Sequence, residues 1–121
     1  MTKKILVVED TEDNRQILRD LLGMAGYTMI EAQDGAEGVA KATEHKPDLI
    51  LMDIQMPVMD GYEATRQIKA NPELKAIPIV AVTSYALSGD EAKARAAGCD
   101  DYIAKPYSPR QMLAKVREIL G

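Results

Sequence analysis

Five polar side chains stand directly after short apolar runs. Glu9 and Asp10 follow Ile5-Leu6-Val7-Val8, and Asp53 follows Leu49-Ile50-Leu51-Met52. Thr83 follows Ile79-Val80-Ala81-Val82, and Lys105 follows Tyr102-Ile103-Ala104. Such runs read as buried strands. In an open parallel sheet the carboxyl ends of the strands share one edge, and ligands bind there. Three acids, a hydroxyl and an amine would therefore meet at one place. Carboxylates at short range repel unless a cation neutralises them. Mg²⁺ takes oxygen ligands, typically one or two carboxylates with waters and phosphate oxygens. No His or Cys lies near these positions in sequence, which speaks against zinc. A carboxylate beside such a cation can act as a nucleophile and form an aspartyl-phosphate. Lys105 can supply positive charge, and Thr83 a hydroxyl donor, toward the transferred oxygens.

Taken singly, these residues say little. Glu9 and Asp10 equally read as acids at a helix N-terminus, worth ~0.3–1 kcal/mol each. A lone lysine is usually a solvated charge, and a lone threonine after a strand is usually a turn residue. The signal is the joint placement, and Asp53 has no capping explanation.

The elements that must position these groups alternate short apolar runs with helical periods. Ile5–Val8 reads as the first strand. Thr11 is a candidate cap for a helix whose apolar face is Ile17, Leu18, Leu21, Leu22 and Ala25, with Gly26 as its stop. A second strand spans roughly 28–32. Asp34-Gly35 turns into a second helix with Ala36, Val39, Ala40 and Thr43 facing inward. Pro47 precedes strand three, and a third helix covers about 62–70, stopping before Pro72. Pro78 opens strand four. Ser88 and Glu91 read as a capping box for an alanine-rich fourth helix ended by Gly98. After strand five, Ser108, Pro109 and Gln111 mark the start of a last helix with Met112, Leu113, Val116, Ile119 and Leu120 on its apolar face. Five such βα units predict an α/β fold, a doubly wound parallel sheet with helices on both faces and right-handed crossovers.

A chain of 121 residues predicts one domain, residues 1–121, able to bury a core without disulfides. It is 46% apolar and 28% charged, with a net charge of -4 spread along the chain, so no basic stripe marks a direct nucleic-acid binder. Cys99 is the single cysteine, which excludes an internal disulfide and fits a reducing cytoplasm. The apolar stretch after Met1-Thr2-Lys3-Lys4 is too short for a signal peptide, and no run reaches membrane-spanning length.

The chain resembles the receiver domains of two-component response regulators. The matching segments are Val7-Val8-Glu9-Asp10, Met52-Asp53-Ile54-Gln55-Met56-Pro57 with Asp60-Gly61, Val82-Thr83-Ser84, and Tyr102-Ile103-Ala104-Lys105-Pro106. The resemblance runs through the whole chain in order. It implies a flavodoxin-like (βα)5 fold with sheet order 2-1-3-4-5, and Asp53 as the phosphoacceptor. Asp10 would ligate Mg²⁺ directly, Glu9 through water, and the backbone carbonyl of Gln55 would complete the protein ligands. Thr83 and Lys105 would contact the phosphoryl group, and Lys105-Pro106 would be a cis peptide. Thr83 and Tyr102 would form the switch that alters the face of the fourth helix, fifth strand and fifth helix. Tyr85 and Gln55 would govern how fast water reaches the acyl phosphate. The implied phosphodonor is a histidine kinase or a histidine phosphotransfer protein, and the implied output is a downstream protein effector. A monomer or a phosphorylation-dependent dimer is expected.

Within the family, Lys46-Pro47-Asp48-Leu49-Ile50-Leu51-Met52-Asp53 and Gly89-Asp90-Glu91 resemble DivK-type single-domain receivers, with no output domain. The stretch Pro57 to Thr65 is equally typical of receivers inside hybrid histidine kinases. An enzyme reading, a small Mg²⁺-dependent aspartyl-phosphate phosphatase, is weaker. Such enzymes usually place a general acid two residues after the nucleophile, where this chain has Gln55. A flavodoxin-like cofactor carrier would need a Ser-, Thr- and Gly-rich phosphate loop where Glu9-Asp10 stands. The expected protein is thus a switch that catalyses only its own phosphorylation and dephosphorylation.

Overall fold

The computed structural model describes residues 2–54, 59–83 and 90–120. Ten elements alternate: β1 (Lys4–Val8), α1 (Glu12–Met24), β2 (Thr28–Ala32), α2 (Gly35–His45), β3 (Leu49–Asp53), α3 (Gly61–Ala70), β4 (Ile79–Thr83), α4 (Asp90–Ala97), β5 (Asp101–Ala104) and α5 (Pro109–Leu120). The strands form one parallel sheet in the order β2-β1-β3-β4-β5. This is the flavodoxin-like doubly wound arrangement expected from the chain, with β3 and β4 buried along their whole length as central strands should be.

Alternating strand residues feed two cores. On one face Leu6, Val8, Ile50, Met52, Ile79 and Ala81 pack with Ala42 of α2, Ala64 and Ile68 of α3 and Ala94 of α4. On the other, Ile5, Val7, Leu49, Leu51, Val80 and Val82 pack with Leu18 and Leu22 of α1 and Met112 and Val116 of α5. Helix α5 starts on a reciprocal capping box. The Gln111 N–H donates to Ser108 Oγ at 3.1 Å, and the Ser108 N–H donates to Gln111 Oε1 at 2.8 Å. Gly26 and Gly98, just past α1 and α4, have φ of 91° and 112°, which L side chains rarely adopt. Ser88, the expected cap of α4, lies outside the described residues.

Three details of the helices differ from the apolar-period reading. Ile17 of α1 is 55% exposed, and the buried face of that helix is Arg15, Leu18 and Leu22. Thr11 is the N-cap of α1 by position, but its side chain makes no capping bond; its N–H instead donates to Glu9 Oε2. In α2, Ala36, Ala40 and Thr43 are exposed and Val39 is half-buried, while Gly35, Gly38 and Ala42 face inward. The cause is close approach: a Cβ on Gly38 would stand 2.9 Å from Val8 Cγ2. A helix lying that close to β1 must turn its smallest residues to the sheet. Among the described residues, no helix is long and apolar enough to cross a membrane.

Candidate functional site

Parallel register brings the strand ends to one edge. Val8 pairs with Met52, Asp53 with Val82, and Thr83 with Ala104, so Glu9, Asp10, Asp53, Thr83 and Lys105 emerge together. Asp53 and Thr83 are the last residues of central strands and are 5% and 1% exposed. Glu9 is also buried, whereas Asp10 is open to solvent. One carboxylate oxygen from each of Glu9, Asp10 and Asp53 lies within 4.8 Å of the other two.

Lys105 reaches into this cluster. Its Nζ lies 3.1 Å from Glu9 Oε1 and 3.4 Å from Asp53 Oδ2. Burial pulls the ammonium down, but the charge of Asp53 and the hydrogen bond and charge of Glu9 more than reverse this, so Lys105 stays cationic above its ordinary range. Burial pushes the Glu9 carboxyl up. Its hydrogen bonds with Asp10, Asp53, the Thr11 N–H and Lys105 outweigh that and bring it to about 2. Asp10 shifts the opposite way: its hydrogen bond with Glu9, then burial, then the Glu9 charge raise it. The acid pair thus divides, with Glu9 held below its ordinary range and Asp10 above it.

This donor set fits a hard divalent cation. It is all oxygen and carries more negative charge than one ammonium neutralises. One member faces solvent, where an ion can enter. Gln55, the expected backbone ligand, lies outside the described residues, as do Ser84 and Tyr85.

Two residues at the site escape the sequence reading. Asn14 donates to Glu9 Oε1 at 3.2 Å, and Arg15 donates to the Glu9 carbonyl at 2.7 Å. The signal for Arg15 was a charged residue at helical spacing with Leu18 and Leu22, on the face that must be buried. Tyr102 is half-buried and packs against the core on the α3–α4 side. The Lys105–Pro106 peptide is cis. Beside Lys105 opens a groove of about 500 Å³, lined by Asn14, Ile17, Lys105, Pro106 and Tyr107.

The family model for the response regulator receiver domain matches residues 5–117. The chain belongs to this family. Among curated relatives, this receiver is 45% identical to the polar-differentiation response regulator DivK of Brucella ovis, over 100% of this chain and 98% of that one. DivK of Brucella anthropi is 44% identical with the same coverage. Among solved structures, it is similar to the receiver domain of a sensor histidine kinase from Pseudomonas aeruginosa PAO1, with a TM-score of 0.93, 36% identity and coverage of 100% and 99% of the two chains. That structure has a magnesium ion coordinated in its active site cleft. Chemotaxis protein CheY4 of Vibrio cholerae matches with a TM-score of 0.93 at 30% identity, over 98% and 99%. The receiver is therefore a component of two-component signalling, and its acid cluster is one that can hold Mg²⁺.

Proposed function

We propose that this receiver accepts a phosphoryl group on Asp53 from the phosphohistidine of a histidine kinase or a histidine phosphotransfer protein. The observation that carries the reading is the buried Asp53 carboxylate facing both a cationic Lys105 and two further acids at the sheet edge. A nucleophilic carboxylate alone would be repelled by an incoming phosphate, and this edge supplies the means to cancel that repulsion. Mg²⁺ bound through Glu9, Asp10 and Asp53, with the Gln55 carbonyl, would add the positive charge that phosphoryl transfer requires.

In the step itself an Asp53 oxygen bonds to phosphorus while the P–N bond to the donor imidazole breaks, and the imidazole keeps the bonding pair. Lys105 turns from Asp53 toward the new phosphoryl oxygens, and the Thr83 hydroxyl donates to another. The groove along Asn14, Ile17, Pro106 and Tyr107 gives the donor a path to Lys105, whose Nζ lies 3.4 Å from Asp53 Oδ2, and the exposed Ile17 offers it an apolar contact. No further substrate is implied: the chain acts on its own aspartate and then on its hydrolysis.

The readout we assign to the face of α4, β5 and α5, through Thr83 and Tyr102. Helix α4 is short and, among its described residues, buries little beyond Ala94 and Ala97, and β5 is an edge strand, so a local rearrangement there costs little apolar contact. A downstream protein would read that face. A buried free thiol at Cys99 suits a reducing cytoplasm as the place of action.

Intact-mass measurement after incubation with acetyl phosphate tests the proposal. One phosphoryl group should be gained with Mg²⁺ and none in excess EDTA. Steady release of inorganic phosphate from acetyl phosphate, with Mg²⁺ bound and no adduct at any time, would favour the phosphatase reading instead.

A further inference from the structure

We propose that Arg15 is a positioning residue that sets the Mg²⁺ affinity of the acid cluster by clamping the Glu9–Asp10 peptide. This rests on the reading of the cluster as a metal site.

Arg15 is 8% exposed, an unusual place for a guanidinium. Burying it is unfavourable unless its donors are satisfied, and they are. Nη2 donates to Glu12 Oε2 at 2.7 Å, Nε lies 3.4 Å from Glu31 Oε1, and Nη1 donates to the Glu9 carbonyl at 2.7 Å. The two carboxylates would suffice to neutralise the charge, and they could do so at the surface. The carbonyl contact is the one that requires the inward position.

That carbonyl belongs to the peptide joining the two acids. Its orientation fixes where the Asp10 Cα lies relative to Glu9. The far side of Glu9 is already pinned, because its N–H donates to Ala32 O at 3.0 Å. Its side chain is held by Asn14, Thr11 and Lys105. Asp10 is exposed, so its placement depends on the peptide before it. A planar guanidinium with a fixed fork of donors holds that plane better than an ammonium can.

Calorimetric titration of the full chain with MgCl₂ tests this, on wild type, Arg15→Ala, Arg15→Lys and Glu12→Gln, with Tm recorded for each. Arg15→Ala should weaken Mg²⁺ binding by about 10-fold or more, the scale on which residues that orient metal ligands act. Arg15→Lys should fall between it and wild type, and carries the test if the alanine variant does not fold. Glu12→Gln disturbs the same ion network without touching the Glu9 carbonyl, and should leave Mg²⁺ affinity near wild type whatever its Tm. Wild-type affinity in both Arg15 variants would overturn the inference and leave the metal site standing. Equal weakening in Glu12→Gln and Arg15→Ala would overturn it too, reducing Arg15 to general support of α1. Absence of Mg²⁺ binding by wild type would remove the metal site itself, and the inference with it.

Discussion

Replacing Lys105 with methionine should lower the Tm measured in EDTA by roughly 6–12 °C, corresponding to about 2 kcal/mol at this chain length. The ammonium lies 3.1 Å from Glu9 and 3.4 Å from Asp53, and both carboxylates are buried. Breaking a fully buried ion pair by removing one partner costs about 3–5 kcal/mol. Two effects reduce the figure here. The Lys105 side chain keeps 24% exposure, so water screens part of its charge. Without the ammonium, the acids can also take up a proton in place of the lost cation. Methionine keeps the unbranched length of the side chain, so packing contributes little. The same variant should gain more Tm from added Mg²⁺ than wild type does, because the competing internal cation is gone. Thermal melts in EDTA and in Mg²⁺ check both parts. Equal Tm values in EDTA and equal Mg²⁺ shifts would mean that Lys105 does not compensate the acids.

The second large effect is expected at Gly61. This glycine opens α3, directly after the N-cap Asp60, and its N–H donates to Ile54 O at 3.1 Å. A Cβ there would overlap the Asp53 carbonyl oxygen and stand 2.8 Å from the Ile54 Cα. Both obstacles are backbone, and backbone cannot rotate aside. Alanine would normally favour a helix by about 0.5–1 kcal/mol over glycine. Overpacking against a fixed wall costs roughly 1–3 kcal/mol, so Gly61→Ala should be destabilising overall. Its larger consequence is functional, since the displaced segment carries Asp53. A displacement of about 1 Å at a reacting group can cost on the order of 100-fold in rate. The initial rate of phosphorylation by acetyl phosphate should therefore fall by at least about 10-fold. Gly23→Ala in α1 is the control, because nothing lies within 4 Å of its Cβ. It should leave the rate unchanged and the stability equal or slightly higher. A wild-type rate in Gly61→Ala would show that α3 does not position the Asp53 backbone.

Much of the fold was legible because its signals are local. Continuous apolar runs such as Leu49–Met52 mark strands covered on both faces, and Ser108-Pro109 with Gln111 marks a helix start that the structure reproduces bond for bond. The gathering of Glu9, Asp10, Asp53, Thr83 and Lys105 was legible because each ends a strand or stands just after one, and parallel register carries strand ends to one edge.

What stayed hidden depends on distance between elements. The inward face of α2 consists of Gly35, Gly38 and Ala42, because Gly38 lies against Val8 and Gly35 against the Met59 backbone. Of the residues expected inside, Val39 packs against the core while Ala36, Ala40 and Thr43 are exposed. Ile17 was expected inside, yet it lines the groove beside Lys105. Arg15 shares the spacing of Leu18 and Leu22 but was passed over, since a charged residue is taken as solvated until a buried carbonyl is seen to need it. Leu74, in the turn between α3 and β4, is 1% exposed and seals the core under that turn, although nothing periodic surrounds it in sequence.

We propose that Asp53 carries the phosphoryl group. Borohydride reduction tests it most directly, because it converts an aspartyl-phosphate to homoserine at the modified position. The protein would be treated with acetyl phosphate and Mg²⁺, reduced, digested, and its peptides sequenced by mass spectrometry. Homoserine at position 53 in wild type, and at no position in Asp53→Asn, is the predicted result. A reduced side chain at Glu9 or Asp10, or conversion in Asp53→Asn equal to wild type, would contradict it.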